Sequence, residues 1–151
     1  MAQNDFLIDL YVANSASSAP GTIDLHASAG DLITVSGTEN LIQALRLRIL
    51  TPLGELERLG HPDYGSRLFM LIGRLPGPEV NALATAYMRE AIRREPRVAS
   101  ILRLEVGSLP GSPESLLIET ELLANGLFAP VQLSTTIKLS TGHIEVKPNG
   151  V

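Results

Sequence analysis

The stretch AIRREPRVASILRLEV, Ala91–Val106, holds the point at which the hydrophobic repeat of this chain changes from helical spacing to strict alternation. Upstream, Val80, Leu83, Ala84, Tyr87, Ala91 and Ile92 form one apolar stripe, and Pro78 suits a first helical position. Pro96 disfavours helical geometry in the residue before it. Arg93 and Arg94 fall in the last turn, where cations oppose the negative end of the helix dipole. The helix is therefore expected to stop by Glu95. Downstream, VASILRLEV, SLLIETELL, VQLSTTIKLS and HIEVK all read as strands. In the third, Val131, Leu133, Thr135, Ile137 and Leu139 share one face, with Gln132, Ser134, Thr136 and Lys138 on the other. That is the pattern of an antiparallel strand with one wet side.

Before this stretch, SGTENLIQALRLRIL (Ser36–Leu50) places Ser36 three residues ahead of Glu39, the spacing of a capping box. Leu41, Ala44, Leu45 and Ile49 then line one helix face, leaving Gln43 and Arg46 opposite, and the helix should end near Thr51-Pro52. Three short alternating runs come first, FLIDLYV, TIDLHA and LITVSG, separated by the turn-forming segments NSASSAPG and SAGD. The expected fold is a single α+β domain, two main helices packed on a mostly antiparallel sheet, at residues 36–151, preceded by an acidic β or extended arm at residues 1–35.

The 151-residue length and 44% hydrophobic content suit one domain with its own core. No cysteine is present, which removes disulfides and thiolate metal sites, and no apolar run approaches a membrane span. The N-terminus lacks the basic flank and apolar core of a signal peptide, so the expectation is a soluble, cytoplasmic protein without membrane insertion. Residues 1–45 hold five acids and no Lys or Arg, whereas all ten arginines lie in residues 46–103 against six acids. Such segregation marks either a partner surface or an ordinary solvated face. Without a basic run or many aromatics, nucleic acid is not an expected partner.

HPDYGSRL, His61–Leu68, collects a His, an Asp and a Ser, the ingredients of a nucleophilic triad. A triad normally draws its members from separated segments, and no nucleophile elbow is present. A loop explains the residues better: Pro62 fixes the entry, Asp63 and Gly65 form a turn, and Ser66 caps a short helix through SRLFMLIG. Glu55, Glu57 and Asp63 are close enough in sequence to supply the paired carboxylates of a glycoside hydrolase, but neither an apolar pocket nor an aromatic wall accompanies them. His26, His61 and His143 lack metal-ligand spacing, and no phosphate-binding glycine loop occurs, so no cofactor or metal is expected.

The order ENLIQALRLRILTPLGELERLGHPDYGSRLFMLIG, an amphipathic helix, Glu95-Pro96-Arg97 and a β meander resembles the baseplate wedge and sheath-initiator proteins of contractile tails, found in phages, extracellular injection particles and type VI secretion. The resemblance spans about Glu39 to Leu139. Its markers fall on Gly54, Glu55, Tyr64, Gly65 and Ser66, with Pro62 in the same segment, and on Glu95, Pro96 and Arg97. It implies a structural, non-enzymatic component, with about six copies ringing the tube. Glu95, Pro96 and Arg97 would clamp the wedge's core bundle at a projecting corner, the alternative being an ion pair between Glu95 and Arg97 within the chain, and a sheet edge would template the first ring of sheath protein. Candidate docking-edge residues are Val131, Leu133, Thr135, Ile137 and Lys138 on one strand and Ile144 and Val146 on the next. Other wedge, tube and hub proteins are further candidate partners. Because the family has also been labelled lysozyme-like, a peptidoglycan muramidase is the alternative, and a single-partner adaptor a third reading.

Overall fold

The computed structural model describes residues 7–14 and 23–149. Its elements are β1 (Asp9–Leu10), β2 (Val12–Asn14), β3 (Ile23–Leu25), β4 (Ala27–Ser28), β5 (Asp31–Leu32), β6 (Thr34–Val35), α1 (Gly37–Leu50), α2 (Pro78–Arg93), β7 (Val98–Leu109), β8 (Ser112–Ala124), β9 (Val131–Lys138) and β10 (His143–Pro148). Most of the expected turn NSASSAPG, from Ser15 onward, lies outside the described residues.

The last four strands form an antiparallel meander ordered β10-β9-β8-β7. Leu41, Leu45 and Ile49 of α1 and Val80, Ala84, Met88 and Ile92 of α2 bury against Leu116, Ile118, Leu122, Leu133, Ile137, Ile144 and Val146 of the sheet. The change of repeat at Pro96 thus gives the α+β domain that it predicts. Burying each large aliphatic side chain contributes roughly 1.5–3 kcal/mol, which makes this layer the main source of stability.

Sheet order corrects one expectation. β9 pairs with β8 on one side and β10 on the other, so Val131, Leu133, Thr135, Ile137 and Lys138 lie on an inner strand and form no docking edge. Alternation shows that one face of a strand is covered and says nothing about its neighbours. The outer strands are β7 and β10. β7 has register shifts at three places along its pairing with β8, a feature that discourages further pairing, whereas the β9–β10 ladder runs without one.

The capping box is not formed. Ser36 is the N-cap residue of α1 with extended backbone, but its side chain makes no capping bond. Gly37, the residue that follows, enters the helix at φ 63, in the left-handed region and outside ordinary helical geometry. The short helix expected through SRLFMLIG is only a 3-10 turn, Leu68–Leu71, with Arg67 rather than Ser66 at its start.

The first six strands make three small ladders, β1 with β6, β2 with β3 and β4 with β5. They meet in a closed cycle of backbone hydrogen bonds: Tyr11 N–H donates to Ile33 O (2.7 Å), Ile33 N–H to His26 O (2.9 Å) and His26 N–H to Tyr11 O (3.1 Å). This cloverleaf lies on the face of α1 expected to meet solvent. Gln43 is buried beneath it, accepting from Val12 N–H and donating to Leu10 O, both at 2.8 Å. Asn40, also buried, donates to Leu7 O. A side-chain amide offers a donor and an acceptor side by side, so Gln43 satisfies two strand groups that a ladder would otherwise pair.

Candidate functional site

Two places answer to the residues singled out by sequence: the junction around Glu95 and the free edge of β10. At the junction, the segment after α1 doubles back. Pro52 and Ser66 form a parallel bridge in which Ser66 N–H donates to Thr51 O (2.8 Å) and Leu53 N–H to Ser66 O (2.9 Å). Gly65 has φ 111, and a Cβ there would stand 2.5 Å from Thr51 O and 2.7 Å from Pro52 O. Left-handed geometry and close backbone approach both require glycine. The Ser66 hydroxyl is buried and donates to Ile49 O at 2.8 Å. It therefore occupies a carbonyl in the last turn of the preceding helix instead of capping the following one. With that hydroxyl committed and His61 and Asp63 exposed, the three residues do not assemble a nucleophilic site.

Glu95 is 4% exposed, which corrects its expected place on a projecting corner; the alternative, an ion pair with Arg97 within the chain, is the one that forms. One carboxylate oxygen accepts from Arg97 Nε at 2.6 Å, and the other faces Arg48 Nη2 of α1 at 3.6 Å. Arg48 in turn lies over the Tyr64 ring, 4.6 Å from its centroid, a cation–π contact. Burial pushes the Tyr64 phenol above its ordinary range while the Arg48 guanidinium pulls the other way, so the ring is neutral at physiological pH. Pro96 itself is exposed. Its carbonyl accepts from Asn125 Nδ2 at 3.0 Å, and Arg97 O accepts from Asn125 N–H at 2.8 Å, pinning the corner to the end of β8. Arg94 ties the loop to α2, donating to Asp63 O (3.2 Å) and to Glu90 (2.7 Å). Tyr64, Glu95 and Arg97 thus meet Arg48 at one ion-pair junction joining α1, the end of α2 and the sheet, whereas Glu55 and Pro62 are exposed.

Arg48 and Asn125 were not singled out by sequence. Arg48 carried only a weak signal, as a cation in the last turn of a predicted helix. Asn125 carried none, because its role depends on the β8 turn arriving beside Pro96.

The carboxylates singled out by sequence and the one at the junction lie in different settings. A shallow cleft of about 590 Å³ lies beside Tyr64, lined by Arg48, Gly60–Tyr64 and Arg94. Glu55, Glu57 and Asp63 are exposed, and the buried carboxylate, Glu95, sits between two guanidiniums and not in an apolar pocket. Among the described residues no group of three or more His, Asp or Glu gathers as a metal site, and no helix is long and apolar enough to cross a membrane.

The second place is β10. Asn149 N–H donates to Gln132 O at 2.9 Å, continuing the β10–β9 ladder. In an antiparallel ladder, bonded pairs recur at every second residue, so His143, Glu145 and Lys147 bond inward to β9. Ile144 and Val146 therefore direct their N–H and C=O groups to the free side. Pro148 takes the next outward position, where a missing N–H breaks no ladder bond. Among the described residues no other segment pairs with these outward groups. Lys147 and Glu145 form a 3.0 Å ion pair on the strand's wet face.

No family model matches the sequence, and no curated protein matches it. Among solved structures, the chain is similar to one from Geobacter sulfurreducens described as a "putative tail lysozyme", with a TM-score of 0.58 and 22% identity over 70% of this chain and 93% of that one. The domain has the fold of that tail protein, and nearly all of the neighbour is accounted for while a substantial part of this chain is left over.

Proposed function

We propose that this protein is a structural, non-enzymatic component of a contractile-tail baseplate, joining the wedge core bundle to the first sheath ring. The observation that carries the reading is the open outer edge of β10, regular, flanked by charges and offered by a fold shared with a tail protein. Adding a partner's strand to such an edge gains affinity from main-chain hydrogen bonds, and a fixed edge spares the first sheath subunits the ordering cost of nucleation. Because Glu95 is enclosed, contact with the wedge would fall on exposed Pro96 and the outer side of Arg97, with the ion-pair junction holding their geometry. In this reading the protein works in the cytoplasm as part of an assembled particle, in about six copies. The muramidase alternative is favoured by the neighbour's description, while Glu55, Glu57 and Asp63 are all solvent-exposed.

The test is Val146→Pro, which removes an outward N–H and leaves the inward bonds of Glu145 and Lys147 in place. If the variant stays folded by circular dichroism, particles assembled with it should show baseplates and tubes without extended sheath. Normal sheaths on a folded variant would overturn the reading. Cell-wall hydrolysis by purified protein that disappears in Glu55→Gln would establish the alternative.

A further inference from the structure

We propose that the N-terminal cloverleaf of one copy docks on the outer face of α2 of a second copy. The cloverleaf leaves much of its apolar surface uncovered. Leu25 and Leu32 are 50% and 45% exposed, Ala27 lies exposed opposite Leu32 in register, and Leu7 and Ile8 are more exposed still. Asp9 follows Leu7 and Ile8 in the chain and Asp31 precedes Leu32, both carboxylates exposed, with Asp9 also near enough to Tyr64 to act on its phenol. Each uses one carboxylate oxygen to accept from the next residue's N–H, and neither has an ion-pair partner among the described residues.

The outer face of α2 has the complementary character. Val80, Ala84, Met88 and Ile92 face the core, leaving exposed Ala82 and Ala86 on the floor of a shallow, mainly apolar groove of about 540 Å³. Arg89 and Arg93, one turn apart and exposed, border the groove, and neither has an ion-pair partner among the described residues. Small side chains let another element approach closely, and unpaired guanidiniums at the rim suit unpaired carboxylates. In its own copy the cloverleaf is held on α1 by Asn40 and Gln43, and none of its residues lines this groove. A second copy is the committed occupant because the acidic apolar surface and the basic groove are both carried by this one chain.

The contact is heterologous: each copy uses its cloverleaf on one neighbour and its α2 on another. Such contacts close into rings or extend into chains according to the rotation they impose. They also depend on salt, since their charges lie at the rim.

Sedimentation velocity over a rising concentration series in about 50 mM and about 0.5 M salt tests this. At low salt the weight-average mass should rise above the 16.2 kDa monomer, and at high salt it should fall back. Arg89→Glu with Arg93→Glu should abolish the rise, and so should Asp9→Lys with Asp31→Lys. An equimolar mixture of the two double variants is complementary in both directions and should associate again. Asp9→Asn with Asp31→Asn keeps the local acceptors and should weaken association without reversing it. All these side chains are exposed, so melts should stay within a few degrees of the unaltered protein, the small changes coming from the lost local bonds at Asp9 and Asp31 and the reversed charge at the end of α2. A monomer under all conditions, association that survives the charge reversals, or a mixture that stays monomeric in folded variants would each overturn the proposal. A monomer would instead assign the cloverleaf to a different partner.

Discussion

The cloverleaf and the four-stranded sheet are written in the same alternating pattern, yet one leaves its leucines in solvent and the other buries them. On β9, Val131, Leu133 and Ile137 are almost fully enclosed, because α1 and α2 lie over that face. Leu10, Leu25 and Leu32 occupy comparable runs and are more than a third exposed. Alternation therefore records that a face needs cover. Whether the same chain supplies that cover is decided by the elements available to lie on it. Two-stranded ladders of two or three residues are too small to be stable alone. The cloverleaf depends instead on polar side chains of α1, and its apolar surface is left for something else.

The comparison breaks most severely in the body at Gly65. In Gly65→Val, the left-handed backbone is strained and the new side chain meets Thr51 O and Pro52 O, so the bridge between Pro52 and Ser66 must open. Lost backbone bonds and strain together should cost roughly 4–6 kcal/mol. We expect a thermal midpoint lowered by more than ten degrees or failure to fold, with the cloverleaf lost alongside, because α1 would no longer be anchored. A melt within a few degrees of the unaltered protein would show that the loop is not part of the body's cooperative unit.

Glu95→Ala should come next. It leaves Arg48 and Arg97 without their shared carboxylate, and removing one partner of a buried ion pair costs about 3 kcal/mol. Arg103 and Glu119, whose side chains are both about half exposed, supply the control: Arg103→Ala should change stability by less than about 1 kcal/mol. Equal effects at both positions would mean that the junction is no more than another surface pair.

What sequence made legible follows the same division. The α2 stripe, the break at Pro96 and the strands of the meander are local patterns, and each appears within a residue or a few of its expected place. Pairing order is not local, so nothing within Val131–Leu139 distinguishes an inner strand from an outer one. Glu95 looked like a corner charge because Arg48, the group that permits its burial, lies on a different helix. Gln43 looked like a solvent residue because a periodicity argument assigns polar side chains to water. Here strand backbone takes the place of water, and a polar clamp beneath a strand has the same sequence signature as a wet helix face.

Gln43 also gives the smallest and sharpest test. In Gln43→Ala, Val12 N–H and Leu10 O lose their partners at 2.8 Å while Asn40 still holds Leu7, so the cloverleaf should loosen and not detach. Two bonds worth about 1 kcal/mol each correspond to roughly a ten- to thirtyfold faster exchange at the Tyr11, His26 and Ile33 amides. Amides of β8 and β9 should keep their protection, since neither strand bonds to the cloverleaf. If exchange instead accelerates throughout the sheet, the two regions form one cooperative unit, and the exposed leucines must be explained within it. If the three cloverleaf amides do not change, their backbone cycle alone holds the module together. Exchange confined to the cloverleaf would make it a separately stabilised attachment, whose uncovered apolar face can be taken up by a second copy without disturbing the sheet.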